Sequence, residues 1–151
     1  MNDNVSIAAL GRDSVDAAVR LLAAQLREHD ISTVEDDLRA VAEAVAGDAR
    51  HGFMLLASSG DNTIGIAFAA AHLSAEHGGV IGWLEELYVA PECRGRGVGA
   101  QLLTNVLSRA EALRWRGLEL EVVAGHERAA ALYLRHGFRA LDRKRYSCIF
   151  R

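Results

Sequence analysis

Apolar and polar positions alternate along this chain with two distinct periods. Val5 to Leu10 reads as a short opening strand. Val15, Val19, Leu22 and Leu26 then recur at helical spacing, and Asp13 can cap a helix running to about Glu28. Ser32 with Glu35 has the spacing of a capping box for a second helix, Val34 to Ala46. Two apolar strands follow, Phe53 to Ala57 and Thr63 to Ala71, joined through the turn-forming run Ser58-Ser59-Gly60-Asp61-Asn62. Glu76 to Gly79 marks another turn, and Val80 to Val89 a further strand closed by Pro91.

The second half continues the pattern. Val98, Leu102, Val106, Ala110 and Leu113 form one stripe of a helix extending to about Arg116, with Gly117 as its expected C-cap. Leu118, Leu120 and Val122 alternate with acids over Leu118 to Val123, as a strand would. Glu127 to His136 predicts a short helix closed by Gly137. Phe138 to Leu141 and Tyr146 to Phe150 predict two last strands. The order β-α-α-β-β-β-α-β-α-β-β describes a mixed α/β (α+β) domain with a mostly antiparallel sheet flanked by helices. The 151 residues are expected to form one domain, 1–151.

Between the fourth strand and the third helix lies Arg94-Gly95-Arg96-Gly97-Val98-Gly99-Ala100. Glycines let backbone N–H groups approach an anion unhindered. A helix N-terminus adds partial positive charge at the same place. A Walker A loop is excluded, because no Gly-Lys followed by Ser or Thr is present. The dinucleotide fingerprint is excluded by spacing: the chain has G-x-G-x-G after an antiparallel-looking meander. Two arginines and three glycines suit a pyrophosphate.

In this context the loop resembles that of the GCN5-related N-acetyltransferases (GNAT), Gln/Arg-x-x-Gly-x-Gly/Ala, through Arg94, Gly97 and Gly99. Leu84-Glu85-Glu86-Leu87-Tyr88-Val89-Ala90-Pro91 is similar to the family's fourth strand. Ala129 to Phe138, with Leu132-Tyr133 and Gly137-Phe138, is similar to its later CoA-contacting helix. The resemblance covers nearly the whole chain and leans toward small-amine and polyamine-type members. It implies acetyl transfer from acetyl-CoA to a primary amine by direct attack in a ternary complex. It also implies that Arg94, Gly95, Arg96, Gly97, Val98, Gly99 and Ala100 cradle the pyrophosphate. Leu87, Tyr88 and Val89 would meet the pantetheine arm. Tyr133 would stand near the departing sulfur, contacting the donor and protonating the thiolate. His126 replaces the family's usual pantetheine-contacting Asn and is expected to donate one hydrogen bond there.

A protonated amine needs a base. Glu85 and Glu86 are neighbours, so a regular strand points them to opposite faces. Glu85 shares the parity of Leu87 and Val89 and matches the family's acid position, which favours it as base. Glu86 is the alternative, or an anchor for the amine if the strand bulges.

Charge narrows the acceptor. Net charge is −3 and pI about 6.1, which gives no general pull toward nucleic acid or membrane. Seven acids stand against one base between Glu28 and Asp48, whereas ten bases face five acids between Arg109 and Arg151. The acidic stretch is expected either to be solvated helix surface or to favour a small cationic acceptor. A protein lysine or N-terminal amine is the alternative acceptor, and a non-catalytic acetyl-CoA-binding regulatory module the alternative class. No apolar run is long enough to span a bilayer, and no basic leader opens the chain. Cys93 and Cys148 have no metal-motif spacing, and His72 and His77 lack ligand company, so no metal is expected. A cytoplasmic protein is the expectation, with a homodimer through the last strand possible by family habit.

Overall fold

The structure is a computed structural model, and it describes residues 4–150. These fall into two compact units, one ending at Glu121 and one beginning at Val122.

The first unit is built on a five-stranded sheet in the order β1-β2-β3-β4-β5. The strands are β1 (Val5–Ala9), β2 (Gly52–Ser59), β3 (Asn62–Ser74), β4 (Gly79–Val89) and β5 (Leu118–Glu119). The first four pair antiparallel and β5 joins β4 in parallel. The expected mixed sheet with flanking helices is therefore present. Helices α1 (Val15–Glu28) and α2 (Glu35–Gly47) precede β2, and α3 (Val98–Ala112) connects β4 to β5.

The two sheet faces have separate cores. Met54, Leu56, Ile66 and Tyr88 share one face and pack with Val15, Val19, Leu22, Leu38 and Val45 of α1 and α2. On the other face, Phe53, Ala69 and Leu84 stand in register across three strands, and α3 supplies Val98, Leu102, Leu103 and Val106. Each fully buried aliphatic side chain contributes about 1.5–3 kcal/mol. Gly52, which opens β2, has φ 111°; a Cβ there would lie 2.0 Å from the Ala69 carbonyl oxygen.

Several element ends differ from the sequence reading. Asp13 lies in a 3₁₀ turn, and α1 begins at Val15, with Ser14 in the N-cap position. The Ser32–Glu35 capping box does not form: α2 starts at Glu35 itself, with Val34 as N-cap. Three acids, Glu35, Asp36 and Asp37, fill its first turn and offset the helix dipole there. α3 ends at Ala112, short of the expected Arg116 and Gly117. Arg114 takes a left-handed conformation (φ 59°), and the Trp115 N–H donates back to the Ala110 carbonyl at 3.0 Å. That turn lets Trp115 stack on Phe53 at 5.2 Å between ring centroids.

β5 is two residues long, not the expected Leu118 to Val123, because it pairs only with Gly82 and Trp83. Beyond that point β4 continues alone: among the described residues, Leu84 to Val89 are paired only with β3. The closed end of this fork is held by the Gly82 N–H donating to the Gly117 carbonyl, and the Arg116 N–H to that of Val80. His77 Nε2 adds a contact to the Glu119 carboxylate at 3.3 Å.

The second unit contains α4 (Glu127–Arg135), as expected. Its end is closed by N–H donations from Gly137 to Leu134 and from Phe138 to Tyr133. The two last strands, Phe138 to Leu141 and Tyr146 to Phe150, do not form; these segments are irregular, without strand partners among the described residues. Tyr146, Ile149 and Phe150 are exposed.

Candidate active site

β4 is irregular at the two acids. Phe68 pairs with Glu86, but the next residue of β3, Ala69, pairs with Leu84. Glu85 is the extra residue, a β-bulge. The expected parity of Glu85 with Leu87 and Val89 assumed a regular strand, and the bulge removes that basis. Glu86 instead falls on the face of Phe68 and Tyr88, which packs toward α1 and α2.

The two carboxylates have different surroundings. Glu85 is exposed and Glu86 partly buried. Burial, reinforced by the neighbouring charge of Glu85, pushes the Glu86 carboxyl up to about 7; a hydrogen bond from Gln25 opposes part of that rise. Gln25 comes from α1 and is itself buried. A carboxyl poised near neutrality inside a protein is suited to accept and release protons.

Past β4 the chain enters the glycine loop. The Ala90 N–H donates to the carbonyl of Ile64 at 2.8 Å, which fixes the start of the turn. Ile64 is available because it bulges out of the β2–β3 register, where Ala57 pairs with Gly65 and Ser58 with Thr63. Pro91–Cys93 form one 3₁₀ turn. Gly95 and Gly97 then take left-handed conformations (φ 77° and 80°), with open space where a Cβ would lie. Gly97 is the N-cap of α3, whose first amides (Val98, Gly99 and Ala100) lack intrahelical acceptors by helix geometry. Residues 94–97 are exposed. The loop thus presents backbone amides at the N-terminus of a 15-residue helix, an arrangement suited to an anion.

Arg94 is placed differently from a simple phosphate ligand. Its Nε donates to the Val89 carbonyl at 2.8 Å, and its terminal nitrogen meets both Glu28 carboxylate oxygens at 2.8 and 2.9 Å. The guanidinium also lies 5.4 Å from the Tyr88 ring centroid. Burial, with Glu28 nearby, pushes the Tyr88 phenol up. Arg94 thus ties the end of α1 to the end of β4 at the start of the loop. Glu28 and Gln25 were not singled out by sequence; both partner residues more than 60 positions away.

His126 and Tyr133 belong to the second unit. His126 occupies the N-cap position of α4 without a side-chain capping bond. Tyr133 is partly buried on α4, with Phe138 edge-on at 5.6 Å. Five of the seven acids of the acidic stretch have a structural role. Glu28 holds Arg94, Asp48 pairs with Arg50 at 2.7 Å, and three acids form the first turn of α2.

Residues 49–140 match the acetyltransferase (GNAT) domain family. No curated protein matches the sequence significantly. Among solved structures, a possible acetyltransferase from Clostridium difficile 630 superposes with TM-score 0.84 at 19% identity, covering 97% of each chain. An aminoglycoside N-acetyltransferase in complex with CoA gives TM-score 0.81 at 18% identity, over 97% of this chain and 95% of that one. A ribosomal-protein-alanine N-acetyltransferase from Brucella melitensis biovar Abortus 2308 gives 0.75 at 24% identity, over 97% and 99%.

Proposed function

Because the chain belongs to the acetyltransferase (GNAT) family, we propose that it moves the acetyl group of acetyl-CoA onto a primary amine of a small cationic molecule, by direct attack in a ternary complex. The observation that carries this reading is the fork in the sheet. The edge of β4 from Leu84 to Val89 has no strand beside it among the described residues, and it leads directly into the amide-lined loop. An extended pantetheine arm would pair with Leu87 and Val89, and its pyrophosphate would take the amides from Gly95 to Ala100. Tyr88 points to the other face and acts instead through Glu28 and Arg94.

Chain 1–151 acts in this reading as one acetyltransferase domain. A Lys-like amine, with a pKa near ~10.4, must lose a proton at a cost of about 4–5 kcal/mol at pH 7. Glu86 is the base, because its carboxyl near 7 accepts protons at working pH better than an ordinary one. Glu85 raises it. The ammonium gives one proton to Glu86, and the freed lone pair forms the C–N bond to the thioester carbonyl carbon. Collapse of the adduct breaks C–S with the electron pair on sulfur. Tyr133 protonates that sulfur and is restored through solvent by the second amine proton. The products are an amide, the CoA thiol and one net proton.

The CoA-bound aminoglycoside acetyltransferase supports a cationic small molecule. The ribosomal-protein-alanine acetyltransferase supports the second reading, a protein N-terminal amine. A cytoplasmic location belongs to the same reading, and the free Cys93 and Cys148 are in keeping with it. A homodimer through the exposed Tyr146, Ile149 and Phe150 belongs to the same reading. Thiol release from acetyl-CoA, measured against polyamines, aminoglycosides, amino acids and an N-terminal peptide, tests it. Release with a small cation supports the proposal; release with the peptide alone selects the second reading. Protein that binds acetyl-CoA and releases nothing with any amine refutes both.

A further inference from the structure

The unpaired edge of β4 has a definite end. The Ala90 N–H donates to the Ile64 carbonyl of β3, so it faces that strand. Successive residues of a strand turn their backbone groups to opposite edges. The N–H and carbonyl of Val89 therefore face the unpaired edge, and those of Leu87 with them. The Arg94 Nε donates to that Val89 carbonyl at 2.8 Å. The last outward acceptor before the loop is thus taken by a side chain of the chain itself.

The guanidinium is held there from two further sides. One terminal nitrogen donates to both Glu28 carboxylate oxygens at 2.8 and 2.9 Å. The Tyr88 ring lies against it, with 5.4 Å from Cζ to the ring centroid. Glu28 also stands 3.5 Å from the Tyr88 hydroxyl. Glu28 is the last residue of α1, so this clamp joins α1, β4 and the glycine loop. The Arg94 and Glu28 side chains are 46% and 40% exposed. An ion pair so exposed adds little to stability. What a planar guanidinium fork with fixed partners supplies is direction.

We propose that Arg94 is a positioning residue that ends the donor's pairing with β4. Its Nε occupies the Val89 carbonyl, and Glu28 holds it in place. The pantetheine arm is left the backbone groups of Leu87 and the N–H of Val89. Pairing stops one acceptor short of the loop, and the phosphates continue from there on the backbone amides. The thioester at the far end of the arm is thereby set along β4 relative to the two acids. This assignment rests on the reading of the chain as an acetyl-CoA-dependent enzyme. Family resemblance alone would make Arg94 a phosphate ligand, and the two roles separate by experiment.

Wild-type protein carrying ¹⁵N in its arginine side chains is titrated with CoA. The Arg94 Nε–H resonance, assigned by its loss in Arg94→Met, should keep its position and show no coupling to ³¹P. Coupling to ³¹P across a hydrogen bond overturns the proposal. The second measurement uses Glu28→Gln/Arg94→Met, which removes the clamp without changing net charge. Its Kd for CoA and its Tm should stay close to wild type, as for the loss of an exposed pair. With an amine that wild type acetylates, kcat at saturating acetyl-CoA should fall about 10- to 100-fold, because the thioester is no longer held in register. A Kd raised about tenfold with kcat preserved assigns Arg94 to the phosphates and overturns the proposal. Wild-type values of both reduce the clamp to a surface ion pair and also overturn it. Should the double variant melt early, Arg94→Lys is put to the same two measurements, since one nitrogen cannot hold Val89 and Glu28 as the fork does. A wild type that fails to bind CoA refutes the underlying reading, and this assignment with it. In every other overturning result CoA still binds, and a wild type that binds CoA without acetylating any amine is decided by the ³¹P coupling.

Discussion

Replacing Glu86 by Gln separates the electrostatics of the site from its packing. The folded carboxyl lies at about 7 against an ordinary 4.5. Below pH 4.5 the group is protonated in both folded and unfolded chains and costs nothing. Between 4.5 and 7 the unfolded chain releases the proton first, so rising pH favours unfolding. Above about 7 both forms are ionised and the folded state carries the whole penalty. The two values differ by about 3 kcal/mol. Part of the side chain meets solvent, and screening reduces this to about 2 kcal/mol. The Gln variant has no such dependence. Its stability relative to wild type should therefore rise by about 2 kcal/mol between pH 4.5 and pH 8. In Tm that is roughly 4–8 °C for a chain of this size. Over the same range its kcat/KM should be about 10²–10⁴-fold below wild type near pH 7. The acid limb of the wild-type profile, with a midpoint about 7, should disappear. Melts and initial rates on one set of buffers give both numbers. A stability difference that is flat from pH 4.5 to 8 refutes the claim that burial and Glu85 raise this carboxyl. A pH-dependent difference with undiminished turnover refutes its role as base.

Tyr133→Phe should lower kcat while acetyl-CoA affinity, measured by calorimetry, stays near wild type; unchanged turnover removes the phenol from the reaction. Gly97→Ala places a Cβ on a residue with φ 80°, and should cost about 1–2 kcal/mol in denaturant melts. It should also weaken acetyl-CoA binding about tenfold, because the methyl enters the open side of the loop. Gly52→Ala, with its Cβ 2.0 Å from the Ala69 carbonyl oxygen, should cost about 4 kcal/mol or more. Expression as soluble protein with wild-type Tm would contradict that packing.

The glycine loop was legible in sequence because its signal is local: Gly95 and Gly97 stand where left-handed backbone is required, immediately before a helical stripe. The bulge left a fainter trace. Leu84 and Leu87 are three residues apart, and a regular strand cannot bury both on one face; this was readable but needed the pairing of Phe68 and Ala69 to locate the extra residue. The partners of Arg94 and Glu86 were not legible. Glu28 and Gln25 lie on a helix whose apolar stripe hides them, and only the closure of α1 over β4 brings them together. The ends of α3 and β5 were misread for a related reason. Arg114 turns left-handed so that Trp115 can reach Phe53, and β5 lasts only as long as its neighbour runs alongside.

The extra residue in β4 also puts the two halves of that strand out of phase. Leu84 and Leu87 face one core, Glu86 and Tyr88 the other, and the count between them decides which acid is drawn inward. A chain lacking Glu85 would keep every later side chain on its present face and lose only the outward charge. A chain with one residue added before Leu87, and no second irregularity to absorb it, would turn the strand over from that point back. Length, more than the identity of either glutamate, sets the address of the buried carboxyl, so an insertion here is expected to be harsher than either the loss of Glu85 or a substitution.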